Sequence, residues 1–173
     1  MANPHILIAN GKLINPLAFR PEDVDLNVAI HTLSRLPRYN AQCIRTYRVA
    51  EHVVKLAGVV PAHLRKAALL HDCPEGFGFL DFPNPIKREM PEYRRLEERM
   101  LKAIFDRFDV PWEHMAELEP YDRRMCQDEM EQVFVPPFNI GLEPLGITVS
   151  YWSERKCETM LRRAFVAEGL LDD

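Results

Sequence analysis

"ALLHDCPEGFGFLDFPNPIK", residues 68–87, starts as the apolar end of a helix and then stops being one. Leu64, Ala67 or Ala68, and His71 recur at i, i+3/4 and i+7. A helix over "PAHLRKAALLHD" (61–72) therefore turns His71 toward the core, with Asp72 beside it at the helix end. Pro61 suits the first turn of that helix. The residues that follow are crowded with Gly, Phe and Pro, yet they hold Glu75, Asp81 and Lys87. The pattern makes Pro74 to Pro91 the one long non-helical segment, and long structured loops in compact domains are disproportionately functional.

Outward from this stretch the periodicity is helical. "YRVAEHVVKLAG" (47–58) repeats Val49, Ala50, Val53, Val54 and Ala57, with Gly58 placed to cap it. "PEDVDLNVAIHTLSRL" (21–36) carries Leu26, Ala29, Ile30, Leu33 and Leu36 on one face. "PEYRRLEERMLKAIFDRF" (91–108) and "PYDRRMCQDEMEQVF" (120–134) follow, and "YWSERKCETMLRRAFVAEGLL" (151–171) closes the chain as an amphipathic helix. Only "ILIANGKLIN" (6–15) reads otherwise, as a β-hairpin turning at Asn10-Gly11. The prediction is an all-α fold with a short N-terminal β-hairpin.

Composition narrows the class. At 173 residues the chain has the length of a single domain, residues 1–173, with a real core. A formal net charge of −4 lacks the basic surplus that a nucleic-acid polymer demands. No apolar run reaches the roughly 18 residues of a membrane span, and "MANPHILIANGKLINPL" lacks the pattern of a signal peptide. Cys43, Cys73, Cys126 and Cys157 are scattered, as reduced thiols in a cytoplasm are. The expectation is a soluble cytoplasmic protein.

Chemistry collects on three helices. Asp122 and Glu129 occupy the same stripe as Met125, Cys126 and Val133, where carboxylates are costly unless paired, neutralised or bound to a cation. His52 sits beside the apolar Val53-Val54 face. Two imidazoles and two carboxylates from buried helices suit a divalent metal, with positions left for water and substrate. Arg38 and Lys87 are candidate contacts for an anionic ligand, with Arg45, Arg48, Arg88 and Arg123 in reserve. Tyr39, Phe77 and Phe79 are candidate aromatic contacts for a flat ligand; Trp112 and Trp152 read as packing residues.

The ordered set "YRVAEHVV", "AALLHD" with His71 nineteen residues after His52, "DFPNPIK" and "YDRRM" resembles the HD-superfamily phosphohydrolases. More narrowly it is similar to small bacterial and phage members acting on deoxynucleotides, the likeness running from about Ile8 to the C-terminal helix. The resemblance implies an all-α HD-domain fold around a buried metal. It implies ligation by His52, His71, Asp72 and Asp122, with Zn, Co, Mn or Mg as the divalent ion. Glu75 and Asp81 become the acid–base pair, although the step between them is one residue longer than relatives usually show, the extra residue lying in "GFGFL". Arg38, fourteen residues before His52, falls where relatives place a phosphate-contacting Arg.

The expected substrate is a small-molecule nucleotide, and relatives commonly form homo-oligomers. The resemblance to short phage dATP triphosphohydrolases, together with a set of cations larger than one phosphate needs, favours a dNTP triphosphohydrolase of dATP type. A 5′-deoxynucleotidase is the alternative, and a nucleotide-binding HD module without turnover stands behind both. A two-iron oxygenase or a cyclic-dinucleotide phosphodiesterase ranks below these, because each usually needs further histidines.

Overall fold

A computed structural model describes residues 4–172, so the first three residues of the segment read for a leader lie outside it. The chain begins with the antiparallel pair β1 (Ile6–Leu7) and β2 (Leu13–Ile14), in register Ile6 to Ile14 and Leu7 to Leu13. Gly11 closes the turn with a positive φ of 79°, as the Asn10-Gly11 signal requires. Seven helices follow: α1 (Leu26–Leu33), α2 (Val49–Val59), α3 (Arg65–Leu70), α4 (Asn84–Arg88), α5 (Pro91–Arg107), α6 (His114–Val133) and α7 (Glu154–Ala167). The predicted fold class is the observed one: mostly helical with one N-terminal hairpin.

The main buried cluster joins Leu33 of α1, Val53 and Leu56 of α2, Leu69 of α3, Ile104 of α5 and Phe165 of α7. α2 packs against both α3 and α7, which holds the His52 turn against the end of α3. Asp25 caps α1 by accepting the Asn27 N–H at 3.0 Å. The buried face of α1 then lies on the tight 3₁₀ turn Cys73–Phe77. A Cβ on Gly76 of that turn would stand 3.1 Å from Ala29 Cα, so glycine sets the depth of this contact.

Four local readings change. α2 runs through Gly58 to Val59, and Gly58 keeps a helical backbone and caps nothing. α6 starts at His114, six residues before the expected Pro120, and carries that proline inside it; Leu118, fully buried, anchors the early turns despite the missing N–H. The segment from Pro74 to Pro91 is shorter in irregular structure than expected, because the 3₁₀ turn and α4 fall within it. The long irregular segment is instead 134–153, between α6 and α7.

Side chains satisfy the backbone of that segment. Asp128 accepts from Leu145 N, Gly146 N and Ile147 N, and Gln127 from Ile140 N and Leu142 N. Buried Glu51 accepts from Ser150 N and Trp152 N at 2.6 Å each. A segment without its own ladder thereby meets the demand that buried backbone groups find partners.

Two glycines give a matched test. Gly78 has φ 109°, and a Cβ there would stand 2.6 Å from Ile6 Cδ1, whereas Gly58 is helical with open space around it. Gly78→Ala is expected to lose about 1–3 kcal/mol of stability. Gly58→Ala is expected to gain about 0.5–1 kcal/mol through helix propensity. Urea unfolding of both variants beside the parent checks the opposite signs.

Candidate metal centre

The carbonyl of Ala68 and the carboxylate of Glu129 decide how the two histidines present themselves. His71 Nδ1–H donates to Ala68 O at 2.9 Å, and His52 Nδ1–H donates to Glu129 Oε1 at 2.6 Å. Both rings therefore turn Nε2 toward the same point, 3.4 Å apart. Asp72 brings Oδ1 to 3.3 Å from His71 Nε2 and Oδ2 to 3.8 Å from His52 Nε2. Asp122 Oδ1, from α6, lies 3.1 Å from His52 Nε2 and 3.9 Å from His71 Nε2.

These groups are acceptors or lone pairs facing one another, and such a set attracts positive charge. His52, His71 and Asp72 lie close enough together to hold a metal ion. Asp122 adds a carboxylate from the opposite helix. A Nδ1–H fixed by a carboxylate or a backbone carbonyl is also how metal-ligating histidines are usually oriented. Electrostatics agrees in sign. Burial and the Arg38 cation work against a charged His52, yet Glu129 and Asp122 outweigh them and lift its pKa to about 9. Burial alone would raise Asp122, but His52, His71 and Arg38 hold it well below its ordinary value.

Glu129 is the support beneath the cluster. Fully buried, it accepts from Tyr39 Oη at 2.5 Å, Tyr47 Oη at 2.8 Å and the Arg38 guanidinium at 3.2–3.3 Å, besides His52. Burial pushes its pKa up, but Arg38 and His52 prevail and bring it down to about 2. The apolar stripe marked Glu129 as unusual in the sequence. Its partners Tyr47 and Tyr39 left no such signal, since they meet it only through the fold.

The structure brings together part of the expected constellation. Glu75 is buried in the turn after Asp72, and its Oε2 has no hydrogen-bond partner. Burial and the nearby Asp72 and Asp81 charges push its pKa well above the ordinary 4.5. Between Glu75 and Asp81, Gly78 is left-handed with φ 109°, and Glu75 lines the same cavity as His71 and Asp72. Asp81 accepts from Tyr39 N at 3.2 Å.

A cavity of about 340 Å³ opens from His71, Asp72 and Glu75 toward Lys87, Arg94 and Trp112. Lys87 lines it while paired with Glu97 at 2.7 Å.

Four expected substrate contacts are engaged elsewhere. Phe77 is fully buried against Phe19, ring centroids 5.1 Å apart, with no face left for a base. Phe79 is buried against Tyr93. Both are apolar rings in a glycine-rich turn that packs inward on α1 and the hairpin, so the core claims them first. Tyr39 spends its hydroxyl on Glu129 and rests its ring edge on Phe134. Arg38 is buried and engaged by Glu129 and by Asp72 at 3.3 Å, so its charge acts on the carboxylates beneath the site. Arg94 and Trp112 line the cavity without having been selected from the sequence.

No protein-family model matches the chain. The chain is similar to the uncharacterized protein YfdR of Escherichia coli (strain K12), 32% identical over 90 residues, which cover 52% of this chain and 50% of that protein. It is also similar to the uncharacterized protein RCAP_rcc00048 of Rhodobacter capsulatus, 30% identical over 112 residues, 59% of this chain and 57% of that protein. The chain thus spans little more than half the length of these curated relatives. Among the described residues, no helix is long and apolar enough to cross a membrane.

Two measurements test the centre. His71→Ala and Asp72→Ala are expected to abolish Mn²⁺ or Zn²⁺ binding in calorimetry while far-UV circular dichroism keeps its helical form. Glu129→Gln is expected to weaken metal binding by about 10–100-fold through the loss of a fixed His52 orientation.

Glu75 supplies a pH test in chelator. Its folded-state pKa is raised, so the folded chain binds more protons than the unfolded one above pH 4.5. Stability therefore falls as pH rises through that window. Glu75→Gln removes this contribution, and its Tm relative to the parent is expected to rise from pH 4.5 to pH 8. A constant Tm difference would contradict the raised pKa.

Proposed function

We propose that this protein is a metal-dependent phosphohydrolase acting on deoxynucleotides. The observation that carries the reading is the meeting of two kinds of group at one cavity. Two fixed Nε2 lone pairs and two carboxylates face a common point, and an unpartnered, proton-holding Glu75 stands beside them. The HD-type motif order supports the same chemistry and supplies the deoxynucleotide substrate class.

A divalent transition metal of the Zn, Co or Mn type, held by His52, His71, Asp72 and Asp122, would supply Lewis acidity toward a phosphoryl oxygen and lower the pKa of water. The residues of the chain do the rest. Glu75 is kept protonated by burial and by neighbouring carboxylates, and a neutral carboxyl can give its proton to a leaving ester oxygen. Asp81, which accepts from Tyr39 N, would take the proton of the attacking water. Lys87 and Arg94 bring positive charge to the cavity wall for the phosphate oxygens. Arg38 offsets the negative charge of Asp72 and Glu129 from below.

Charge at the cavity favours a monophosphate over a triphosphate. Its lining holds Lys87 and Arg94 as cations against Asp72, Glu97 and Glu98, beside a Glu75 whose neutral form is favoured, and Lys87 is already paired with Glu97. Arg38, counted from the sequence as a phosphate contact, is committed to carboxylates. A monoester carries about −1.5 to −2 charge, and a triphosphate carries more into a wall that is already acidic. The geometry thus favours the 5′-deoxynucleotidase alternative over the triphosphohydrolase suggested by the resemblance.

The four dNMPs and four dNTPs, incubated with Co²⁺ or Mn²⁺ and resolved by chromatography, test this reading. Orthophosphate and deoxynucleoside from dNMPs is the expected product pattern, with Glu75→Gln slower by about 100-fold in kcat. Triphosphate released from dNTPs, with dNMPs untouched, would restore the first reading. Turnover of neither would refute both.

A further inference from the structure

The cavity lined by His71, Asp72 and Glu75 also has an apolar lining. Leu101 of α5, Trp112 just before α6 and Met115 in its first turn border the same cavity. The α5–α6 connection places it there. Phe108 ends α5, Asp109 takes a positive φ of 52°, and Val110 N returns to Phe105 O at 3.0 Å. Trp112 is thereby folded back onto α5, its ring edge-on to Phe105 with centroids 5.8 Å apart and Lys102 Nζ 4.7 Å from its centroid. The indole is half-buried, held from behind and bordering the cavity.

We propose that Trp112 and Met115 form the nucleobase subsite of this protein, receiving the flat aromatic base of a nucleotide whose phosphate lies at the His71–Asp72 end. The inference rests on the phosphohydrolase reading for the position of the phosphate. It deepens that reading by assigning the other half of the substrate.

Three observations converge on it. One cavity is lined by imidazole and carboxylates (His71, Asp72, Glu75, Glu97, Glu98), by two cations (Lys87, Arg94) and by apolar side chains (Leu101, Trp112, Met115). A nucleotide likewise joins a charged phosphate to a flat apolar-faced base. Phe77 and Phe79, the rings the sequence offered for stacking, lie in the core, and Tyr39 is tied to Glu129. Among the described residues lining this cavity, Trp112 is the one aromatic ring apart from His71. Its orientation is fixed by Phe105 and Lys102, so little freedom remains to be lost when a base stacks on it. Met115 adds a polarizable side chain that adapts to different ring shapes. Stacking on an indole face uses the π-face that every base has, so the subsite is expected to accept purines and pyrimidines alike.

The test compares dAMP with 2-deoxyribose 5-phosphate, which keeps the ester and lacks the base. Trp112→Ala is expected to raise KM for dAMP by about 10-fold, the scale of one lost base–aromatic stack, with kcat nearly unchanged. The same variant is expected to leave the kinetics of 2-deoxyribose 5-phosphate as they were, and Trp112→Phe is expected to recover most of the loss. Equal changes for both substrates, or none for dAMP, would overturn the subsite while leaving the phosphohydrolase reading intact.

A second measurement needs neither turnover nor truncation of Trp112. In a Trp152→Phe protein, whose remaining indole is Trp112, dAMP added with Mn²⁺ is expected to quench the emission saturably, and 2-deoxyribose 5-phosphate is not. Absence of quenching by dAMP would refute base stacking even in a protein that hydrolyses no phosphate ester.

Discussion

Glu129 places a carboxylate at full burial and surrounds it with four donor side chains: Arg38, Tyr39, Tyr47 and His52. A charge removed from water this completely persists only if its lone pairs are met, and breaking a buried pair by removing one partner costs about 3–5 kcal/mol. The four donors come from the segment before α2 and from α2 itself, so one carboxylate on α6 locks both in place. His52 inherits a fixed tautomer from this arrangement. The same bond network also holds Tyr39, Asn40 and Ala41, three consecutive residues at positive φ (55°, 49° and 60°). Left-handed backbone of this kind costs about 1–2 kcal/mol per residue outside glycine. It is retained where Tyr39 Oη meets Glu129 and Tyr39 N meets Asp81. His52 and the loop that carries Asp81 are thus oriented by one support.

The carboxylates of this protein divide by their partners. Glu51, Asp128 and Glu129 are saturated with donors and act as structural acceptors, the first two for the backbone of 134–153. Glu75 faces other carboxylates and has an oxygen without a partner, while Asp122 is held ionised by His52, His71 and Arg38. An acceptor supplied with donors is inert and stabilising; an acceptor facing acceptors is high in energy until a proton or a cation arrives. Glu51 and His52 are neighbours on α2, yet one serves the wrapping segment and the other the metal centre. Because Glu51 ties Ser150 and Trp152 to α2, the irregular segment braces the helix that carries His52.

Much of this was legible in the sequence, for identifiable reasons. Helical periodicity depends on nearby residues and on burial of one face, so the helices and the Asn10-Gly11 hairpin could be read locally. Asp122 and Glu129 stood out because carboxylates on an apolar stripe are costly, and the fold brings His52, His71 and Asp72 close enough together to hold a metal ion, with Asp122 beside them. Errors arose where local signals met a tertiary constraint. Gly58 has a helix-ending character that packing of α2 overrides, and Pro120 is carried within a helix anchored by Leu118.

The sequence by itself determined which elements form and which groups must be sheltered or paired, since both follow from spacing and from the cost of burying polarity. Tertiary structure alone decided who meets whom. Phe77 and Phe79 look like stacking rings in a glycine-rich loop, but contacts with Phe19 and Tyr93 place them in the core. Arg38 looks like a phosphate contact, but Glu129, 91 residues away, claims it. Trp112 looks like packing, and the turn at Asp109 sets it on the cavity wall. Each outcome depends on contacts between residues far apart in the chain, and no local periodicity encodes which distant partner a side chain will find.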